Sequence, residues 1–328
     1  MADVGELFAD LLRLRWVTGL NKVKTPALAG VESWLVSGTY SWVSNSAGVI
    51  VLDVPTKSVS LADAIASEVS RFSCAAYESL LDAEPGVHAD RALGWALVRY
   101  YYATFYAAHA LLRISGQSVT MVSSQTASRL NAVGGQYFGM SPGMTPGLHL
   151  VRIDPDNRSR VLISRIGVRS GGTHEKMWEI FLGLIVELEE QLLLTQGQSQ
   201  DALLAVQTLT ELRKQLCRSG KSNGSWLSSV RNDLNYRHEH GVWYPYKVTS
   251  KVAISLIARM QRWVPSVTDG YEIGKVSDDL ECFVDGCNVM VRLLTASLFD
   301  LSSRAAKPRY SFVDRQPFKL LRLRNVAV

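Results

Sequence analysis

The sequence predicts a mainly α-helical protein: a helical bundle with small β additions. From about residue 60 onward, apolar side chains recur at three- and four-residue steps over most of the 328-residue chain, which is the period of an amphipathic helix. Runs typical of strands are confined to two places, before residue 55 and between residues 117 and 174. Hydrophobic residues make up 47% and charged residues 20% of the chain, a balance that allows a large buried core.

Several long segments carry the helical period. Residues 5–17 predict a short amphipathic helix, since Leu7, Leu11 and Leu14 fall on one face. The segment 88–116 repeats apolar and aromatic residues so densely that burial on more than one side is expected. The other predicted helices are 60–83, 175–194, 201–217, 225–238, 248–263 and 276–302.

Two regions predict strands. The runs SWLVSGTYSWV (33–43) and GVIVLDV (48–54) suggest an N-terminal hairpin, and a packed irregular loop is the alternative. LHLVRI (148–153) and RVLISRIGV (160–168) flank the turn DPDN inside an insertion, 117–174. We therefore expect an N-terminal region, 1–58, a helical domain, 59–303, that contains this insertion, and a basic C-terminal tail, 304–328.

The tail is the most basic part of the chain. Its one acidic residue is Asp314, and Tyr310, Phe312 and Phe318 are interleaved with the basic residues. This composition is typical of segments that follow phosphates and stack on bases, although the apolar residues could equally dock on the domain. The candidate RNA-binding residues are Arg304, Lys307, Arg309, Arg315, Lys319, Arg322 and Arg324.

Composition also narrows the class of protein. The net charge of +5 is compatible with a polyanionic partner. The four cysteines form no C-x-x-C pair, so we expect buried thiols, no zinc site and no cofactor. Acidic residues near the N-terminus and short apolar runs predict neither a signal peptide nor a membrane span, hence a cytoplasmic protein.

The segment VRNDLNYRHEHGVWYPY (230–246) concentrates groups that carry chemistry. If it is helical, Arg231 and His238 lie within roughly 20° of one line, with Asn235 between them. Imidazole exchanges protons near neutral pH, and a guanidinium offers several donors to a phosphate. The set suits cleavage of RNA by attack of a ribose 2′-hydroxyl, with a two-fold dimer supplying a second histidine and arginine. The alternative is an ordinary polar helix end, where such residues are common.

A metal site is not expected here. A metalloprotease needs two histidines four residues apart, whereas His238 and His240 are two apart. The sequence shows no carboxylate or cysteine set that would complete a site around them.

RNDLNYRH resembles the signature of the HEPN superfamily, in which an arginine, often followed by Asn or Asp, precedes a histidine by a few residues. RYYYATFYAAHALL (99–112) is similar to a core helix of those domains. The resemblance implies a dimer with a composite cleft and a metal-independent endoribonuclease acting in toxin or antiviral defence systems, including abortive infection. Arg231 would stabilise the phosphate, His238 would be the acid and base, and Asn232 would be the polar residue after the arginine.

The resemblance leaves some roles open. His240 occupies the position where some toxin subfamilies have a tyrosine, and Tyr244 lies further on; these two residues and Asp233 are secondary candidates. Other members of the superfamily are inactive partners or nucleotide-binding modules. The implied partners are RNA, a second copy of the chain, and a regulatory, antitoxin or sensor protein. The alternative function is a non-catalytic RNA- or nucleotide-binding or scaffold subunit.

Overall fold

Helices dominate the structure. In the computed structural model the described residues are 4–26, 28–46, 48–55, 59–83, 92–139, 141–167, 172–196, 199–264, 271–273 and 278–327. The prediction of a mainly α protein with small β additions is confirmed. The helices are α1 (Val4–Arg13), α2 (Val31–Ser37), α3 (Val59–Leu81), α4 (Gly94–Ile114), α5 (Ser124–Phe138), α6 (Thr173–Gln196), α7 (Gln200–Leu216), α8 (Trp226–Tyr236), α9 (Ser250–Met260), α10 (Asp279–Ser303), α11 (Phe312–Arg315) and α12 (Pro317–Leu323).

The helix α4 lies at the centre of the bundle and packs against α3, α10, α6 and α8. Its aromatic side chains explain this position, because Tyr100 and Tyr101 are fully buried and alanines let neighbouring helices approach closely. The Tyr100 hydroxyl donates to Asn288 Oδ1 at 2.9 Å, so the polar end of the ring is satisfied in the core. The exception is Trp95 at the start of α4, which is 62% exposed.

A five-stranded antiparallel sheet joins the two β regions. Its strands are β1 (Ser41–Ser46), β2 (Val49–Asp53), β3 (Gln117–Val122), β4 (Gly147–Ile153) and β5 (Arg160–Arg165), in the order β1-β2-β5-β4-β3. The N-terminal hairpin is thus confirmed for β1 and β2. Because Ile50 of β2 pairs with Ile163 of β5, the N-terminal region and the insertion share one sheet.

Two segments near the sheet are helical where the sequence analysis did not expect it. Residues 33–37, assigned to a strand, belong to α2, since Val31, Trp34 and Leu35 recur with a helical period and are buried together. The glycines at 134 and 135 lie inside α5, which begins after Ser123, whose side chain accepts from Thr126 N at 3.2 Å. Capping and packing therefore outweigh the low helix propensity of glycine.

A buried ion pair connects α3 to α4. Arg113 Nε donates to Glu68 Oε2 at 2.8 Å, with side chains 3% and 9% exposed. Glu68 also accepts from Val31 N at 2.8 Å and Ser118 Oγ at 3.1 Å, so its pKa is lowered although burial alone would raise it. Arg113 NH1 lies 2.7 Å from Nδ1 of the buried His109.

The C-terminal segment folds onto the bundle. Phe312 and Phe318 are buried, and Phe318 packs on Phe299 at a centroid distance of 4.7 Å. The interpretation of these two rings as base-stacking groups is therefore wrong, because they belong to the core. Three of the basic residues are held by carboxylates: Arg304 by Asp300, Arg322 by Asp314 and Arg324 by Asp82.

The helix α10 is also buried in the bundle and packs against α4. Among the described residues it is the one helix long and apolar enough to cross a membrane, and 89% of its most apolar window is buried inside the protein. Cys282 and Cys287 on this helix are buried thiols, and burial raises the pKa of Cys287 to about 12.

Candidate functional site

The helix α8 places Arg231 against the core. Leu227, Val230 and Leu234 form its apolar stripe and are all buried, which directs the adjacent Arg231 towards α4. As a result, Arg231 is only 7% exposed, which is rare for an arginine without a charged partner.

Aromatic rings surround the Arg231 guanidinium. Its Cζ lies 5.1 Å from the Tyr101 ring centroid and 5.8 Å from those of Tyr102 and Tyr236, so the cation faces three electron-rich rings. Its hydrogen bonds are long: NH1 donates to the Tyr236 hydroxyl at 3.5 Å and NH2 approaches His174 Nδ1 at 3.4 Å. Rings and marginal hydrogen bonds thus replace a carboxylate.

The charge of Arg231 is uncompensated. In the described parts of the chain no Asp or Glu oxygen lies within 4 Å of the guanidinium, and the buried Nε has no hydrogen-bond partner. By contrast, Arg113 pairs with Glu68 and Arg259 pairs with Asp285. A buried cation of this kind is stabilised when an anion enters the site.

His174, at the start of α6, is the second polar group of the site. The Tyr101 hydroxyl lies 2.8 Å from its Nδ1, and Tyr101 itself receives a hydrogen bond from Trp178 Nε1 at 3.2 Å. Because an arginine can only donate, the contact with Arg231 makes Nδ1 an acceptor and places the ring proton on Nε2. Burial and the charge of Arg231 both lower the pKa of His174, so the ring is neutral at pH 7.

His174 and Arg231 line a polar cleft of about 280 Å³ between the start of α6 and α8. The N-terminal end of the 24-residue helix α6 points into it, which adds a partial positive charge. Among the described lining residues the one carboxylate is Glu175, which accepts from Asn223 Nδ2 at 2.7 Å. The remaining lining residues are Gly172, Thr173, Lys221, Ser225, Ser228, Ser229 and Asn232.

Two larger clefts lie elsewhere and are less suited to an anion. One, of about 580 Å³, is lined by Arg13 and Arg304, both of which pair with Asp300. The other, of about 550 Å³, contains Arg15, which pairs with Glu187. The first also contains Arg292, and the second also contains Arg152 and Arg158. The Arg231 cleft is the better candidate because it also contains the N-terminal end of α6 and the neutral His174.

The structure separates Arg231, Asn235 and His238, which the sequence analysis placed near one line along a helix. Asn232 is exposed and lines the cleft, and Asn235 is half-buried one turn after Arg231 on α8. His238 does not lie on the helix, because α8 ends at Tyr236 and His238 has φ 52° and ψ 35°. The prediction that Arg231, Asn235 and His238 share one helical face is therefore wrong for His238.

His238 belongs to the turn that follows α8. Its exposed ring lies over Trp243, with centroids 5.6 Å apart and an interplanar angle of 32°. Trp243 Nε1 donates to Leu234 O at 2.7 Å, satisfying a carbonyl in the last turn of the helix. The left-handed backbone at His238, repeated at His240 with φ 65°, is a conformation that concentrates at functional sites.

The secondary candidates occupy the same turn. Asp233 pairs with Arg237 at 2.9 Å, and the 85% exposed Tyr244 contacts Tyr246. Asp233, Glu239 and His240 have ligand atoms within 4.8 Å of one another, and His240 Nε2 is buried without a hydrogen-bond partner. The argument that no carboxylate lies near these histidines is therefore wrong, although the set could equally be a hydrogen-bonding turn.

Sequence reasoning missed His174. It lies 57 positions from Arg231, and no spacing rule connects a residue at the start of one helix with the middle of another. The segment GGTHEK has the glycines and the first-turn acid typical of a helix start, which could have indicated an anion-facing terminus. The partner of that terminus follows only from the tertiary fold.

Comparisons with protein-family models, with curated proteins and with solved structures find no match for this chain.

Proposed function

We propose that the protein is a metal-independent endoribonuclease of the HEPN type, acting as a toxin or effector in prokaryotic antiviral defence. The observation that carries the proposal is the Arg231 guanidinium, buried at the wall of an open polar cleft with no carboxylate partner among the described residues. Such a cation costs stability unless an anion uses it, and a phosphodiester is an anion with matching acceptors.

The reaction would use groups with separate roles. A 2′-hydroxyl attacks the adjacent phosphorus, so the O2′–P bond forms while the P–O5′ bond breaks. The hydroxyl proton goes to a base, an acid protonates the leaving 5′-oxygen, and a cyclic phosphate remains. Arg231 would stabilise the charge on the phosphate oxygens, and the Nε2–H of neutral His174 would donate a further hydrogen bond. His238, whose ring is exposed, would be the acid and base.

Cleavage of RNA by the purified protein in excess chelator tests the proposal. We expect activity in wild type, a loss of about 10²–10³-fold in Arg231→Ala, and a loss of about 10²–10⁴-fold in His238→Ala. Arg237→Ala is the matched control, since Arg237 directly follows the same helix and its charge is exposed and paired with Asp233. Full activity in both site variants would refute the assignment.

A composite dimer site has its own test. If Arg231 of one copy acts with His238 of the other, a mixed dimer of Arg231→Ala and His238→Ala subunits contains one intact site. A fully exchanged equimolar mixture should then regain roughly a quarter of wild-type activity. If the two residues act within one copy, mixing restores nothing.

A second candidate function is a non-catalytic subunit that binds RNA or a nucleotide. The observation in its favour is the state of His174, whose Nδ1 already accepts hydrogen bonds and whose lowered pKa disfavours proton uptake. A site built only from Arg231 and His174 would bind a phosphate without transferring protons. RNA binding that depends on Arg231, with no cleavage in any buffer, would favour this function.

A further inference from the structure

We infer that an aromatic strip beside the Arg231 cleft stacks unpaired bases, so that the ligand of this site is single-stranded RNA. The strip consists of Trp95, Trp243, Tyr236 and Tyr102. The inference rests on the proposed function only in taking Arg231 as the contact for a phosphate.

The strip exposes large aromatic side chains. Tyr236 is 70% and Trp95 is 62% exposed, unusual values for such rings in a folded domain. They are nevertheless held in place: the Tyr236 hydroxyl accepts from Arg231 NH1 at 3.5 Å, and Trp95 meets Trp243 edge to face at 5.4 Å. Exposed rings with fixed orientations are suited to stacking.

Trp243 anchors the outer end of the strip. Its Nε1 bonds to Leu234 O at 2.7 Å, and its indole fills the space where any side chain at Gly94 would stand. This packing explains the glycine at the start of α4 and fixes the start of α4 against the end of α8. His238 rests on the same indole, so the candidate acid and base belongs to this end of the strip.

The strip reaches Arg231, which lines the cleft. Trp95 and Tyr102 are seven residues apart on α4, which places them on one face about 10.5 Å apart along the helix axis. Tyr102 lies 5.8 Å from the Arg231 guanidinium, and Tyr236 lies at the same distance. A chain with its phosphate on Arg231 therefore has aromatic surface on the side towards Trp95.

Single-stranded RNA fits this arrangement better than a duplex or a protein. An unpaired cation next to exposed rings is the combination that tracks a phosphate backbone and stacks its bases. In a duplex the base faces are already stacked on each other and cannot reach Trp95 or Tyr236. A protein partner would use the rings but would not require the uncompensated guanidinium.

Binding to an uncleavable ligand tests the inference. The probe is a fluorescently labelled 2′-O-methyl RNA oligonucleotide, which lacks the nucleophile, compared with the same sequence as a duplex, in chelator. We expect tighter binding of the single strand, and affinity lowered between about fivefold and a hundredfold by Trp95→Ala or Tyr236→Ala. Trp95→Phe and Tyr236→Phe should retain most of the affinity because the ring remains.

The control is Tyr137→Ala, which removes an equally exposed ring from α5, away from the strip. Circular dichroism of each variant checks that the fold is retained. Equal affinity for duplex and single strand, unchanged affinity in both alanine variants, or no binding at all would overturn the inference. If the alanine variants lose no affinity but still cleave RNA, the inference fails and the proposed function stands. If binding depends on the rings but the protein does not cleave RNA, the inference stands and the proposed function fails.

Discussion

Replacing Arg231 with methionine should stabilise the protein while it removes anion binding. A residue kept only for the fold should have the opposite behaviour, since removing its contacts would destabilise the native state. The perturbation therefore separates a functional arginine from a structural one. Methionine retains the apolar stem and comparable volume, so packing against α4 changes little.

The magnitude follows from the environment of the guanidinium. Burying the cation costs several kcal/mol, and its unpartnered Nε costs about 1–3 kcal/mol. Against this stand three cation–π contacts at 5.1 to 5.8 Å, each contributing about 0.5–2 kcal/mol, and two hydrogen bonds at 3.4 and 3.5 Å, which are near the distance limit. We expect Arg231→Met to raise the free energy of unfolding by about 1–2 kcal/mol.

Urea unfolding of both proteins, with and without a phosphate ligand, measures the effect. Ligand at 100 times its Kd should add about 2.7 kcal/mol to the wild type and nothing to the variant. Arg113→Met is the contrasting control, because it strands the buried carboxylate of Glu68 and should cost about 3–5 kcal/mol. A similar loss in Arg231→Met would refute the reasoning and make Arg231 a structural residue.

Three further predictions concern other parts of the molecule. The free energy of unfolding should fall as the pH drops below about 6.5, because the pKa values of His109 and His174 are lowered in the folded protein and the unfolded chain therefore takes up protons first. In His109→Phe, the free energy of unfolding measured in urea should depend less on pH between pH 5 and 7. An unchanged pH dependence in this variant would contradict the prediction. Gly94→Ala should cost about 1–3 kcal/mol in the same assay, since its Cβ would overlap the Trp243 indole, and a neutral effect would show that the strip can move. Charge reversal at three exposed basic residues of the C-terminal segment should weaken RNA binding and reduce the dependence of the affinity on salt, while the protein stays folded. Unchanged RNA affinity would exclude the segment as an RNA contact. These residues are Lys307, Arg309 and Lys319.

Periodicity was enough to predict the large helices but not how the β segments combine. The apolar spacing of α3, α6, α7 and α10 identifies each as a helix, since a single amphipathic element carries its own pattern. The pairing of β2 with β5 joins residues more than a hundred positions apart, and no local pattern specifies such a partner. The helix α2 was missed because a seven-residue helix rich in valine and tryptophan has the composition of a strand.

The C-terminal segment shows a second limit of composition. Basic residues alternating with aromatic ones are typical of nucleic-acid arms, but Phe312 and Phe318 alternate because they face the core while the charges face solvent. Composition alone cannot distinguish an amphipathic packing face from a binding surface. The deletion of 304–328 would consequently expose core, and point changes at exposed charges are the cleaner experiment.

His174 and His238 differ in a way that decides how catalysis could work. His174 is fixed by Tyr101 and Arg231, and its lowered pKa makes it a donor through Nε2 rather than a proton carrier. His238 is exposed and lies outside α8, and within the described part of the chain its ring contacts Trp243 alone, so it can reorient towards a substrate. If cleavage occurs, His174→Gln should weaken phosphate binding while preserving the pH profile of the chemical step, because glutamine still donates a hydrogen bond. His238→Gln should abolish the pH dependence of the cleavage rate that comes from the acid and base. If the pH profile changes only in the His174 variant, His174 is the acid and base and His238 is not.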